Sequence, residues 1–211
     1  AEGYPLIEVN LTELEPREVE KGTSASLIRG IVARMKELGA PLCNAGFDAY
    51  AISDVPGGSG LSSSAAFEIL IGTILNGLYC DFRFTPIDIA LIGQYAENVY
   101  FDKPCGLMDQ MASSVGGVVA IDLSNPEDPI VEQIDVDLSE MGYALCIVDS
   151  HASHADLTDE YASVADEMFA VAAQFGKEVL REVPEVEFMS ALPKIREMKG
   201  DRAALRALHF Y

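Results

Sequence analysis

The 211-residue chain carries 14 basic against 34 acidic side chains, a formal net charge of -20, and 49% of its residues are hydrophobic. That balance argues against partners that need a basic face, nucleic acids and anionic membranes above all, and no apolar run reaches the length of a membrane span. The length suffices to bury a sizeable core, as one domain or two small ones.

In chain order, the residues predict a strand over 6–11 and a helix over 24–38 closed by Gly39, then a short buried strand over 47–53. Pro56-Gly57-Gly58-Ser59-Gly60-Leu61-Ser62-Ser63-Ser64-Ala65-Ala66 joins that strand to a helix. Phe67, Leu70, Ile71, Ile74, Leu75 and Leu78 recur on it at helical spacing as one wide apolar stripe, with Ser62 as a good N-cap. Thr85-Pro86 starts the next helix, with Thr85 as N-cap and Pro86 at the first position. Ile87, Ala90, Leu91 and Tyr95 form its inner face, and it runs to about Val99 with Glu97 near its end. Pro104 and Gly106 force an irregular backbone before Asp109-Gln110 opens a short helix through Ser113 and Ser114. A strand is expected over 115–123, a linker over 125–129, and strands again from Ile130 to Leu138 and over 143–148. A long helix over 157–175, punctuation at Gly176 and Pro184, and a helical tail with Ala203, Leu205 and Leu208 complete the chain. The expected class is α+β with mixed sheets, divided into 1–124 and 125–211.

The glycine-serine loop carries the most chemistry. Gly57, Gly58 and Gly60 let the backbone take positive φ and approach an anion, while the following helix offers unpaired N–H groups and the positive end of its dipole. A triphosphate needs such a cradle; the structural alternative is a serine-rich turn that only caps the helix. Better-known glycine motifs do not fit. No lysine completes a Walker A loop, Leu61 stands where a nucleophile elbow needs its second glycine, and Ser63 replaces the third glycine of a dinucleotide fingerprint. Glu97 and Asp109 supply two carboxylates with separable roles, one to hold magnesium and one to position or deprotonate a hydroxyl. The plainer readings are a surface glutamate and a helix cap. Cys43, Cys80, Cys105 and Cys146 form no Cys-x-x-Cys pair and are expected to be reduced; His151 and His154 lack a third metal ligand.

Taken together, the Pro56 to Ala66 loop, Ala96-Glu97-Asn98 and Pro104-Cys105-Gly106-Leu107-Met108-Asp109-Gln110-Met111 resemble the galactokinases among the GHMP small-molecule kinases. Asp149-Ser150 leading through His154 to Asp159-Glu160-Tyr161 is similar to the family's segment ending in Ser-Glu-Tyr. The resemblance implies a two-domain GHMP-kinase fold, with 1–124 part of the N-terminal domain and 125–211 part of the C-terminal one. It implies ATP and Mg2+ as cofactors, galactose as substrate, phosphorylation at the anomeric hydroxyl and a cytoplasmic enzyme. Gly57, Gly58, Ser59, Gly60, Leu61, Ser62, Ser63, Ser64 and Ala65 would form the phosphate loop, Ser64 and Glu97 would reach the magnesium, and Asp109 would be the base. Gly106, Asp109 and Tyr161 would touch the sugar. The chain departs from the family at Ser153, where many members place a basic residue, and lacks both the Gly-Glu-His-Thr-Asp-Tyr run and the C-terminal glycine-rich motif. The resemblance thus covers the middle of a galactokinase, and a lone fragment is expected to be inactive and to self-associate. A galactose-sensing regulator and a kinase of N-acetylgalactosamine are the alternative readings.

Overall fold

The computed structural model describes residues 6–42, 46–55, 57, 60–148 and 158–211, without the side chains of 158 and 159. Two compact units divide the chain, Ala1–Ser153 and His154–Tyr211.

Among the described residues, the first unit is built on four α-helices: α1 (Ser24–Glu37), α2 (Ser63–Tyr79), α3 (Pro86–Ala96) and α4 (Met108–Val115). Its core gathers Leu27, Ile31, Val32 and Met35 from α1, Ile69, Ile71 and Leu75 from α2, Ile89, Ala90, Ile92 and Ala96 from α3, and Met111 from α4. Glycines set the closeness of the helix crossings. A Cβ at Gly30 would meet Ala96 Cβ at 2.8 Å and its Cα at 2.9 Å, and one at Gly72 would meet Ile89 Cγ2 at 2.9 Å. Gly39 ends α1 at φ +78° as expected, and Thr85 caps α3 in a reciprocal capping box with Asp88.

The buried faces differ from the expected stripes. On α2, Ile71 and Leu75 are buried, but Leu70 and Leu78 are exposed and Ala65, Glu68, Ile69, Gly72 and Asn76 take their place. A helix apolar on nearly every side has no single amphipathic face, so its packing partners choose the buried one. Asn76 is accommodated because its side chain accepts from Phe84 N at 3.1 Å and donates to Phe84 O at 2.9 Å. On α3 the buried set is Ile89, Ala90, Ile92, Gly93 and Ala96, with Ile87, Leu91 and Tyr95 half-buried.

Beyond α3 the helix widens into a π turn, Glu97–Phe101, which Asp102 ends at φ +67°. The extent to about Val99 is therefore nearly right, but the last turn is not α-helical. The Tyr100 hydroxyl donates to Leu14 O at 2.7 Å, and buried Arg29 grips Glu20 with both Nε and Nη2 at 2.7 Å. Arg29 Nη1 also donates to the carbonyls of Asn10 and Glu13, so one guanidinium fastens the segment before α1 onto that helix.

The α+β class is observed, its sheet among the described residues being the antiparallel pair β1 (Val118–Asp122) and β2 (Ile130–Ile134), in register from Val118↔Ile134 to Asp122↔Ile130. The expected linker 125–129 is the connection of this hairpin, closed by Asp128 N donating to Asn125 O at 3.1 Å. A division at 124/125 falls inside that hairpin, and the first compact unit runs on to Ser153. The strands expected at 6–11, 47–53 and 143–148 are not strands over the described residues. Their composition suits extended backbone, but a strand exists only where a neighbour completes its ladder.

In the second unit, α5 (Thr158–Ala172) continues as a 3-10 turn to Phe175 and stops at Gly176, φ +69°. Helix α6 (Glu185–Phe210) bends at Gly200, whose φ of 85° and ψ of 165° are non-helical. Val171, Ala172, Leu180, Phe188, Ile195 and Ala204 are among its core residues, and Tyr211 stacks on Phe188 at 4.9 Å.

Candidate active site

Helix α2 follows the glycine-serine run in sequence. Gly60 stands at φ +77°, and Ser62, at φ 60° and ψ 47°, is also left-handed. Ser62 occupies the N-cap position but makes no side-chain capping bond. The first-turn amides of α2, which have no intrahelical acceptors, are therefore not taken by that serine. Ala65 is buried, Ser63 and Ser64 are half-buried, and Gly57 and Leu61 are exposed. Pro56, Gly58 and Ser59 lie outside the described residues, as do Cys43, Asp149, Ser150, His151, Ser153 and His154. Gly57, Ser63 and Ser64 border a cleft of about 1330 Å³ that runs between α1 and α2 past Ile28, Phe67 and Leu70.

Two residues separated by 33 positions meet at the start of α2: the Ser64 hydroxyl donates to Glu97 Oε1 at 2.9 Å. Lys103 Nζ lies 3.3 Å from the same oxygen. The other carboxylate oxygen, Oε2, accepts from Gln110 Nε2 at 2.9 Å, and that nitrogen also donates to Glu68 Oε2 at 3.0 Å. Glu97 is 2% exposed, so the surface reading of this residue does not apply. Burial pushes the Glu68 carboxyl up to about 8, and the charge of Glu97 pushes it the same way. Burial, with Glu97 beside it, also raises the Cys105 thiol well above its ordinary value, which suits a packed side chain and not a nucleophile.

The loop before α4 is tied to the end of α3. Cys105 N donates to Asn98 Oδ1 at 2.8 Å, Gln94 Nε2 to Cys105 O at 3.4 Å, and Lys103 N to Glu97 O at 3.2 Å. These bonds seat Gly106 and the first turn of α4, where Asp109 is exposed and its neighbour Gln110 is buried. A carboxylate in a helix's first turn is favoured by the helix dipole. Tyr161 lies on α5 of the second unit, 59% exposed.

Ser64 and Glu97 are thus brought together, and Asp109 is one residue from the group that holds Glu97. Glu68, Lys103 and Gln110 belong to the same cluster, and sequence reasoning missed them. Glu68 is the one charged residue of α2, and a lone charge in an apolar helix was the available signal. The donor set fits a magnesium ion: Glu97 supplies a carboxylate oxygen and Ser64 a hydroxyl, and phosphate oxygens and waters commonly complete such sites. Among the described residues, no group of three or more His, Cys, Asp or Glu side chains forms an all-protein metal cage.

Residues 26–117 match the family described as GHMP kinases N terminal domain. The chain is 36% identical over 197 residues to a galactokinase of Actinobacillus pleuropneumoniae serotype 3 (strain JL03), covering 92% of this chain and 49% of that protein. It is 32% identical over 205 residues to a galactokinase of Streptomyces coelicolor, covering 96% and 50%. The chain therefore spans about half the length of the curated relatives it matches. Among solved structures, Lactococcus lactis galactokinase complexed with galactose has the same fold over 95% of this chain and 50% of its own, with a TM-score of 0.64 at 22% identity.

Proposed function

We propose that residues 26–117, which match the family described as GHMP kinases N terminal domain, serve transfer of the γ-phosphoryl group of ATP to the anomeric hydroxyl of galactose. The observation that carries the reading is the Ser64–Glu97 bond of 2.9 Å at the start of α2, under a left-handed glycine-serine backbone. Relatives named galactokinase support galactose as the acceptor.

In this reading Gly57 to Ala65, Gly58 and Ser59 included, form the phosphate loop, whose glycines admit close backbone approach and whose helix start favours negative charge. Ser64 and Glu97 hold Mg2+, which when bound neutralises phosphate charge. Asp109 accepts or orients the proton of the anomeric hydroxyl, and Gly106 borders the sugar. Lys103, already on Glu97, supplies a movable positive charge at the same place. Phosphoryl transfer asks little covalent chemistry of a protein, so fixing these groups in place is most of what catalysis requires.

Titration of the purified chain with ATP, with Mg2+ and then with EDTA, tests the cradle. Binding strengthened by magnesium is expected. Equal binding under both conditions would overturn the assignment of Ser64 and Glu97.

A further inference from the structure

Gln110 is 1% exposed, and both hydrogens of its side-chain amide are directed to buried carboxyl groups, at 2.9 Å to Glu97 and 3.0 Å to Glu68. Glu97 sets the orientation of the amide, because turning it over would set the amide oxygen against the Glu97 carboxylate. Gly93 is what makes room. A Cβ there would meet Glu68 Cβ and Oε2 at 3.2 Å and Gln110 Cγ at 3.5 Å. Glu68 Oε1 and Gln110 Oε1 are buried with no hydrogen-bond partner among the described residues. Each such atom lowers stability in a way that an apolar pair of the same shape would avoid. A cluster kept at that cost, touching the carboxylate assigned to the metal, fits a role in holding that carboxylate.

We propose that Gln110, backed by Glu68, is a positioning residue for the phosphoryl transfer described above. It grips Glu97 from behind through Oε2, which leaves Oε1 turned toward the Ser64 hydroxyl. Because Asp109 precedes it in the same helical turn, the grip also ties the candidate base to the metal-side carboxylate. Metal position and base position are then set by one buried amide. The inference rests on the reading of Ser64, Glu97 and Asp109 in the previous subsection.

The test uses the 211-residue chain, Mn2+ as the probe and ATP present, with free Mn2+ followed by electron paramagnetic resonance. Gln110→Met keeps the side-chain volume and removes both donors. It should weaken Mn2+ retention by about tenfold, the scale seen when groups that orient metal ligands are removed, while ATP binding without metal stays unchanged. Glu68→Leu should also weaken retention, whereas Glu68→Gln, which keeps an oxygen acceptor of the same shape, should restore it. Thermal unfolding of each variant separates loss of position from loss of fold. If Glu97→Gln loses Mn2+ while Gln110→Met stays within twofold of the unsubstituted chain, the grip is overturned and the role of Glu97 stands. If Glu97→Gln itself stays within twofold, the reading of Glu97 fails and takes this inference with it. Should Gln110→Met not fold, Glu68→Leu decides: retention within twofold of the unsubstituted chain would overturn the proposal.

Discussion

Ser64 and Glu97 show how a hydroxyl and a carboxylate from different helices become one feature, since each oxygen of Glu97 has its own donor. In a longer protein that carries these residues and turns over galactose, Glu97→Gln is expected to raise the Mg2+ requirement by about tenfold or more, and the galactose requirement much less. A magnesium titration of initial rates checks it. Asp109→Asn keeps shape but removes the charge, so turnover should fall by about a hundredfold or more with nucleotide affinity retained. At Glu20 the expectation concerns pH. The hydrogen bond from Arg29 holds its carboxyl below the ordinary value. The stabilisation is therefore present above the ordinary glutamate range and is lost as pH falls through the lowered folded-state value. Melting temperatures measured from neutral pH down through that range should decline less steeply in Glu20→Gln. The variant should also be less stable at neutral pH, by about 3–5 kcal/mol at most, because Arg29 then stays buried without its charge partner.

Helices α1 and α3 approach so closely that Gly30 has no room for a methyl group: Ala96 Cβ and Cα lie 2.8 and 2.9 Å from where it would sit, with a Tyr100 ring carbon also at 2.9 Å. Gly30→Ala should gain helix propensity, roughly 1 kcal/mol, yet lose more by forcing α1 off α3, with overpacking costs of about 1–3 kcal/mol. Net destabilisation in denaturant unfolding is the expected result. A more stable variant would show that the crossing yields without strain. The same crossing leads into the π turn at Glu97–Phe101, so a shifted α3 should also weaken Mn2+ retention in the presence of ATP. Sequence periodicity located both helices and the cap at Thr85, but the widened turn was invisible to it. Tyr100 within that turn reaches Leu14 across 86 positions, a contact that no local pattern records.

At the scale of the whole molecule, large apolar side chains stand open: Leu6 is 85% exposed, Ile52 79%, Leu145 81% and Val148 86%. Apolar groups left in water favour association, so we expect the purified chain to self-associate as its concentration rises, measurable by light scattering. A monodisperse monomer across that range would count against the expectation. We also expect no galactose-dependent ADP release from the chain alone, because the chain spans about half the length of its relatives and binding energy from contacts remote from the reaction helps hold substrates in attacking geometry.

The residues alone determined the helices and pointed to the glycine-serine loop, Glu97 and Asp109 as the candidate site. Capping at Thr85, glycine stops at Gly39 and Gly176, and the glycine-serine run are local signals, and each acts within one or two turns of chain. Only the tertiary structure decided which face of α2 is buried, which extended segments find a strand partner, and that Glu68 and Gln110 close around Glu97. Those outcomes depend on contacts between positions far apart in sequence, whose closure no local pattern records: Gln110 meets Glu68 across 42 residues. Periodicity counts apolar residues along one helix, whereas burial of a lone carboxyl is set by the helices that pack over it.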